Sequence, residues 1–390
     1  MSFTITFYIS LALLGAILIL NTKKRPSSEE PFFDRILSKE IQGFLALFII
    51  VHQTVVTLAH FEVDDYAMKE FFHFFFYGIL AVSFFFFSSG FGLVKRWMTD
   101  ENYTKGFMKR RIFTVLVPFF ICNYIYLTDA LLHNIRYGGH FTFVEVIFAF
   151  FGLFLVNNQM WFAVEIMILY IAFRIVFSRV KSARTGIIIM TGIVLVLIAI
   201  GLSAGHSDSP LMSYWFKGEW WYNTILMFPL GMLYAYKEER INAVIKKAYV
   251  AILLSSFALV ILMDFVHRGL IADQVYYPET YGAKYPILDK LKGLSAETIY
   301  EIVFIILVLT LVSRFKLDNP ILKFLGKISL ETIMLNYLMN YRLFFLYTRY
   351  GIAVYLPAVI VSTIAAASVV YLLKNLVLER RSRLFDGEVK

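Results

Sequence analysis

Residues 41–57 read IQGFLALFIIVHQTVVT, an unbroken apolar run from Phe44 to Val51 followed at once by His52, Gln53 and Thr54. Whether such a stretch is the core of a soluble domain or a membrane span depends on the rest of the chain. Of its 390 residues, 59% are hydrophobic and 17% charged, whereas soluble chains average about half apolar and about a quarter charged. The solvent of this helix is therefore lipid.

A crossing needs about 20 consecutive apolar residues. Runs of that kind lie near 3–20, 41–60, 71–94, 112–132, 161–178, 186–203, 220–236, 248–266, 297–313, 328–348 and 351–373. The expected fold is an all-α polytopic membrane protein, a bundle of about 11 transmembrane helices with bounds of 10 and 12. A further run, TFVEVIFAFFGLFLV at 142–156, is short, carries Glu145 and is joined to the next span by NNQM alone. It reads as a re-entrant or interfacial helix unless it crosses. No soluble domain, internal repeat or low-complexity tract interrupts the pattern.

Basic residues set the orientation, because short cytoplasmic loops retain Lys and Arg. If 142–156 does not cross, 28 of the 37 basic residues fall on one side and 9 on the other. This predicts a multi-pass plasma (inner) membrane protein with its amino terminus outside and its carboxyl terminus in the cytoplasm. The net charge of +9 then belongs to loops resting on anionic membrane lipids, and no nucleic acid partner is expected. The first run is followed by KKR and preceded by no basic segment, so it reads as an uncleaved crossing. Cys122 is the one cysteine and makes no internal disulfide. In the 267–296 segment, Tyr276, Tyr277, Tyr281 and Tyr285 suit an interfacial aromatic belt better than a sugar platform.

His52 lies about 16 Å into a helix counted from residue 41, at 1.5 Å per residue, which puts it near the bilayer midplane. A titratable ring there is costly unless it faces the bundle interior, so it is a functional candidate. Gln42, Ala46, Gln53, Thr57 and His60 share a small or polar stripe on the same helix, with His52 about 100° from Gln53. Other polar residues within spans are Glu165, Glu301, Glu331, Asn336 and His73. Asn336 comes closest to His52 in depth, and Glu165 is expected near the outer end of its helix, where a carboxylate stays solvated. The small residues of SSGFG at 88–92 favour helix packing over ligand binding. Metal-ligand spacings, phosphate-binding loops, GxSxG and serine triads are absent from the sequence.

Six segments occur in sequence: KEIQGFLALFIIVHQ, GILAVSFFFFSSGFGLVKRW, KGFMKRRIFTVLVPFF, NNQMWFAVEIMILYIAF, WWYNTILMFPLGMLYAY and LGKISLETIMLNYL. Together they make residues 39 to about 375 resemble the integral membrane acyltransferases of the acyltransferase 3 group. The resemblance implies transfer of an acyl group, acetyl above all, from acyl-coenzyme A to a hydroxyl of a cell-surface or lipid-linked carbohydrate. Acyl-coenzyme A is then a co-substrate, with no permanently bound cofactor and no metal. The division implied is 1–38 as leading helix and cytoplasmic linker, 39–375 as the acyltransferase-like membrane domain and 376–390 as a cytoplasmic tail.

In that family a basic residue and a glycine precede an essential histidine after ten intervening residues. Here Gln42 stands before Gly43, nine residues separate it from His52, and Gln53 holds the usual spacing. Some relatives carry two consecutive histidines at this point, of which this chain keeps the first. Asn336 stands where a late histidine is common.

The chemistry fits one histidine and no protein nucleophile. A thioester is already activated, and what transfer lacks is removal of the proton of the attacking hydroxyl, for which a neutral imidazole is worth about 10²- to 10⁴-fold. His52 is the expected catalytic base, with Gln53, Gln42, Asn336 and Glu165 in support. Lys109, Arg110 and Arg111 are the expected cofactor-binding cations for the donor's phosphates, set against a reading in which they only mark the cytoplasmic side. The alternative function is a transporter or flippase of a polysaccharide precursor in which His52, Glu165 and Asn336 relay protons. It lacks the repeats or paired broken helices common in that class. A relative that has lost catalysis and only binds sugar is the third reading.

Orientation is testable in intact cells. A cysteine from Ser2→Cys should react with an impermeant thiol reagent and one from Ser382→Cys should not; the reverse pattern would invert the topology.

Overall fold

The computed structural model describes residues 3–26, 31–61, 63, 78–132, 141–204, 212–216, 224–272, 282 and 284–385. His73 and Tyr276, Tyr277 and Tyr281 lie outside them. Fourteen helices account for most of the described chain: α1 (Phe3–Ile19), α2 (Arg35–His60), α3 (Gly78–Thr99), α4 (Phe107–Leu132), α5 (Phe143–Phe150), α6 (Trp161–Phe177) and α7 (Ala183–Ala204). They continue with α8 (Met227–Lys247), α9 (Tyr249–Ala272), α10 (Pro286–Arg314), α11 (Pro320–Lys327), α12 (Ser329–Arg342), α13 (Phe344–Tyr350) and α14 (Ile352–Phe385). The fold is all-α and polytopic, and eight of the helices are by themselves long and apolar enough to cross a bilayer.

Every run read as a crossing carries helix, with one adjustment, and the run 142–156, set apart from the crossings, is short. The run 328–348 is divided at Leu343 into α12 and α13, so its first piece has 14 residues, about 21 Å. The run 142–156 forms an eight-residue helix, started by a Thr142–Glu145 capping box, and at about 12 Å it is too short to cross. It then turns into β2 (Phe154–Leu155), which pairs antiparallel with β3 (Ser213–Tyr214). The 267–296 segment is also more helical than a loop, since α9 runs to Ala272 and α10 starts at Pro286.

α2 lies at the centre. In its apolar window 78% of residues are buried within the protein, against 17% for α9, so α2 meets protein on nearly all sides while α9 faces lipid. It packs against α3, α11, α12 and α14. Two of the closest crossings run through glycine. A Cβ on Gly90 of α3 would lie 2.0 Å from the Phe228 carbonyl oxygen of α8, and one on Gly231 of α8 would lie 1.9 Å from that of Phe87. Likewise a Cβ on Gly43 of α2 would meet the Leu322 oxygen of α11 at 2.3 Å, and one on Gly326 would meet that of Lys39 at 1.9 Å. Without side chains at these points the backbones touch, which in lipid supplies the packing that the hydrophobic effect cannot. The small residues of SSGFG thus serve helix packing at Gly90.

The helix ends rich in Lys and Arg are fastened together on one face, called here the basic face. β1 (Lys23–Lys24) pairs antiparallel with β4 (Phe315–Lys316), and the buried Arg25 donates its Nε to the Val312 oxygen at 3.2 Å. Asn319 caps α11 by accepting from Ile321 and Leu322, and it also donates to the Ile17 oxygen at 2.6 Å. Its own N–H reaches Glu40 of α2 at 3.0 Å. Beside it, the Lys323 ammonium at 2.6 Å holds the exposed Asp318 carboxyl below the usual carboxylate range.

Glycine substitutions test the crossings. Gly90→Ala or Gly231→Ala should lower stability by at least about 1 to 3 kcal/mol through overpacking. Gly192→Ala, with nothing within 4 Å of the new Cβ, should raise it by up to about 1 kcal/mol. Thermal unfolding in detergent reads the difference, and equal midpoints for all three would refute backbone contact.

Candidate functional site

The helix carrying His52 begins at Arg35, where Asp34 caps it by accepting from Leu37, rather than near residue 41. The ring accordingly sits eight residues before the helix end at His60, about 12 Å from that end and about 7 Å past the middle of the helix. It is half-buried and lies against the first residue of α3. A Cβ on Gly78 would be 2.7 Å from His52 Nε2 and 2.8 Å from Cδ2. Glycine at 78 is what gives the imidazole its place.

The stripe predicted on α2 faces protein, for Gln42, Ala46, Gln53 and Thr57 are all buried. Gln53 donates its side-chain amide to Gln159 Oε1 at 3.0 Å. Gln159 belongs to the turn Asn158–Met160, whose start Asn157 caps by accepting from the Gln159 N–H at 3.0 Å. NNQM is thus a polar strut against α2, a role invisible while it is read only as a linker.

Asn336 is on α12, which packs against α2. Its amide turns back on its own helix, donating to the Ile333 oxygen at 2.7 Å, and its Oδ1 has no hydrogen-bond partner. Next to it the helix ladder is opened. Leu338 donates to the Tyr126 hydroxyl of α4 at 2.9 Å, and that hydroxyl donates to the Met334 oxygen at 3.0 Å. A side chain inserted between an N–H and its i−4 carbonyl is one of the few causes of a local break in a helix.

Toward the basic face, Gln42 donates to Ser88 Oγ at 2.7 Å while its own Oε1 stays without a partner. The adjacent Ser89 hydroxyl is 2.8 Å from that of Tyr170 on α6. Arg111 lies 4.5 Å over the Tyr170 ring and 5.1 Å over Phe107, and it donates to the Tyr103 hydroxyl at 3.0 Å. A line of polar contacts therefore runs from Arg111 through Tyr170 and Ser89 to the level of Gln42. Glu165, on α6 with Tyr170, is not in the solvated position expected of it. It is fully buried and neither carboxyl oxygen has a hydrogen-bond partner.

The three cations at 109–111 divide. Lys109 is exposed, Arg110 is spent on the loop carbonyls of Tyr103 and Lys105, and Arg111 alone turns inward. Directly after Arg111, Ile112–Leu116 form a π-helical turn, a feature frequent at functional sites. Among the described residues no cluster of three or more His, Cys, Asp or Glu could hold a metal ion.

These features lie within the stretch that a family model recognises. The model, described as an acyltransferase domain, matches residues 41–373, and the chain belongs to this acyltransferase 3 family of membrane acyltransferases. No curated protein and no solved structure matches it.

Gly78→Ala tests the seat of the imidazole. The new methyl must push the ring aside, and a shift of about 1 Å at a reacting group costs on the order of 10²-fold in rate. The ring can swing, so the unfolding midpoint should stay near that of the parent. Full acyl transfer by Gly78→Ala would show that the position of His52 is immaterial.

Proposed function

We propose that the protein transfers an acyl group, acetyl in the first instance, from acyl-coenzyme A to a hydroxyl of a cell-surface or lipid-linked carbohydrate, with His52 as general base. The donor approaches from the basic face, taken as cytoplasmic, and the acceptor from the opposite face. The observation that carries this reading is the seat of His52, a half-buried imidazole against Gly78 on the most enclosed helix of a chain belonging to an acyltransferase family.

In the reaction the acceptor hydroxyl attacks the thioester carbonyl carbon while the imidazole takes its proton. The tetrahedral species collapses, the carbon–sulfur bond breaks, and the thiolate of coenzyme A receives the proton from the imidazolium. One ester and one thiol result, and His52 is neutral again. Gln53, held by Gln159, has no basic nitrogen and serves to orient. Gln42, Asn336 and Glu165 offer unpartnered oxygens as acceptors for hydroxyl or amide groups of the two substrates. Family membership favours this over a transporter or flippase.

His52→Ala should lower turnover by about 10²- to 10⁴-fold with donor affinity little changed, and Gln53→Ala should lose less. Mass analysis of surface glycans with and without the gene gives the acceptor. A well-inserted His52→Ala protein that acylates at the parental rate would eliminate the base assignment.

A further inference from the structure

A second group of buried polar side chains lies in the seam between α9 and α10, away from the groups already assigned to the reaction. His267 Nε2 of α9 is 3.4 Å from Oε1 of Glu297 on α10, and each residue is 2% exposed. α9 otherwise meets lipid, and its buried residues Ser256, Met263, Asp264 and His267 fall on one helical stripe. In lipid, a helix that slides away from such a partner leaves both polar groups unmet. The pair therefore fixes α9 against α10.

Beside that pair stands a tyrosine that touches α3. The Tyr300 ring lies 5.9 Å from the His267 ring, and Tyr300, Met263 and Leu80 form a buried apolar cluster with Ile79 and Phe304 packed against it. Ile79 and Leu80 belong to the first turn of α3, as does Gly78, whose missing side chain leaves room for His52. Gly78 and Leu80 are two residues apart and so about 200° apart around the helix. The first turn of α3 is thus held between the imidazole on one side and Tyr300 on the other.

α8, which packs closely on most of α3, stops short of that turn. Gly231 meets Phe87, and farther along both helices Lys95 pairs with Glu238, so the two helices run parallel. α8 starts at Met227, four residues before Gly231, and its start is level with Ser83 of α3. Beyond it α3 meets α2, α10 and the turn Thr224–Leu226.

Resting on the assignment of His52 as general base, we infer that Tyr300 is a positioning residue for the imidazole: it holds the first turn of α3, and with it Gly78, against His52, and the His267–Glu297 pair holds Tyr300 in turn. A displacement of about 1 Å at a reacting group costs on the order of 10²-fold in rate, so the wall behind the ring needs a backing that does not yield. The polar seam supplies it.

The experiment supplies acetyl-coenzyme A with a radioactive acetyl group to membranes of cells expressing the full chain, and reads the label entering the glycan fraction. Tyr300→Ala should lower kcat about tenfold or more while KM for the donor stays within about twofold, and Tyr300→Phe, which keeps the ring, should restore most of the rate. Leu309→Ala removes a buried side chain from the same helix nine residues nearer the basic face and should leave kcat at the parental value, so loosened packing by itself is not what is read. The pair His52→Ala with Tyr300→Ala decides the route of the effect. A residue that acts through the imidazole costs nothing further once the imidazole is gone, whereas a merely structural one costs the same in either background. If Tyr300→Ala does not insert, Leu80→Ala, the smaller truncation on the α3 side of the contact, should show the same fall in kcat and the same dependence on His52. Parental kcat in these variants, or a loss of equal size without His52, would overturn the inference and leave the acyltransferase reading intact. A parent that transfers no acetyl group, or a His52→Ala protein that works at the parental rate, would overturn that reading together with the inference resting on it.

Discussion

Along α2 no water is available to satisfy a polar side chain, so each one must be met by a neighbouring helix or remain unmet at a cost. Much of the architecture follows from that requirement. Gln42 is met by Ser88, Gln53 by Gln159 and the Glu40 carboxylate by the Asn319 N–H. Each of these contacts fixes a different element against α2: α3, the strut before α6, and the approach to α11. The glycine crossing at Gly43 brings the backbones of α2 and α11 into contact close to Glu40 and Asn319.

The two ends of α2 have different chemistry. At the basic face charges are paired, the buried Lys374 with Glu331 and Lys323 with Asp318 and Glu40. At the other end lies a single imidazole against a glycine, suited to moving a proton. The middle joins them through hydroxyls and amides rather than charges, as expected where ionisation is most expensive.

Composition and run length were enough to read the all-α class and the positions of the spans, because lipid imposes a length on every crossing. The polar stripe of α2 and the packing role of SSGFG were legible for the same reason, since helical periodicity puts those residues on defined faces. The rest depends on contacts between distant segments. NNQM has no periodicity, so its hold on Gln53 was hidden. Lys374 read only as one more cation on the positive side, because its partner Glu331 is 43 residues away. Glu165 was placed by depth alone, and depth says nothing about which side chains surround a carboxyl. The π-helical turn that follows Arg111 leaves no mark in an apolar run such as IFTVL.

The brevity of α12 has a consequence for the lipid. Fourteen residues give about 21 Å, well short of about 30 Å of hydrocarbon. At its far end Arg342 grips Asp129 with a two-pronged contact at 2.6 to 3.1 Å, and both are partly exposed, which marks where the apolar zone stops. The deficit falls on the side of the bundle where α2 carries His52. Hydrophobic mismatch of this sort thins the adjoining leaflet or admits headgroups. Beside His52 the protein thus presents a lowered apolar wall, a shallow shore where the barrier between ring and aqueous phase is thinner than the membrane's full depth.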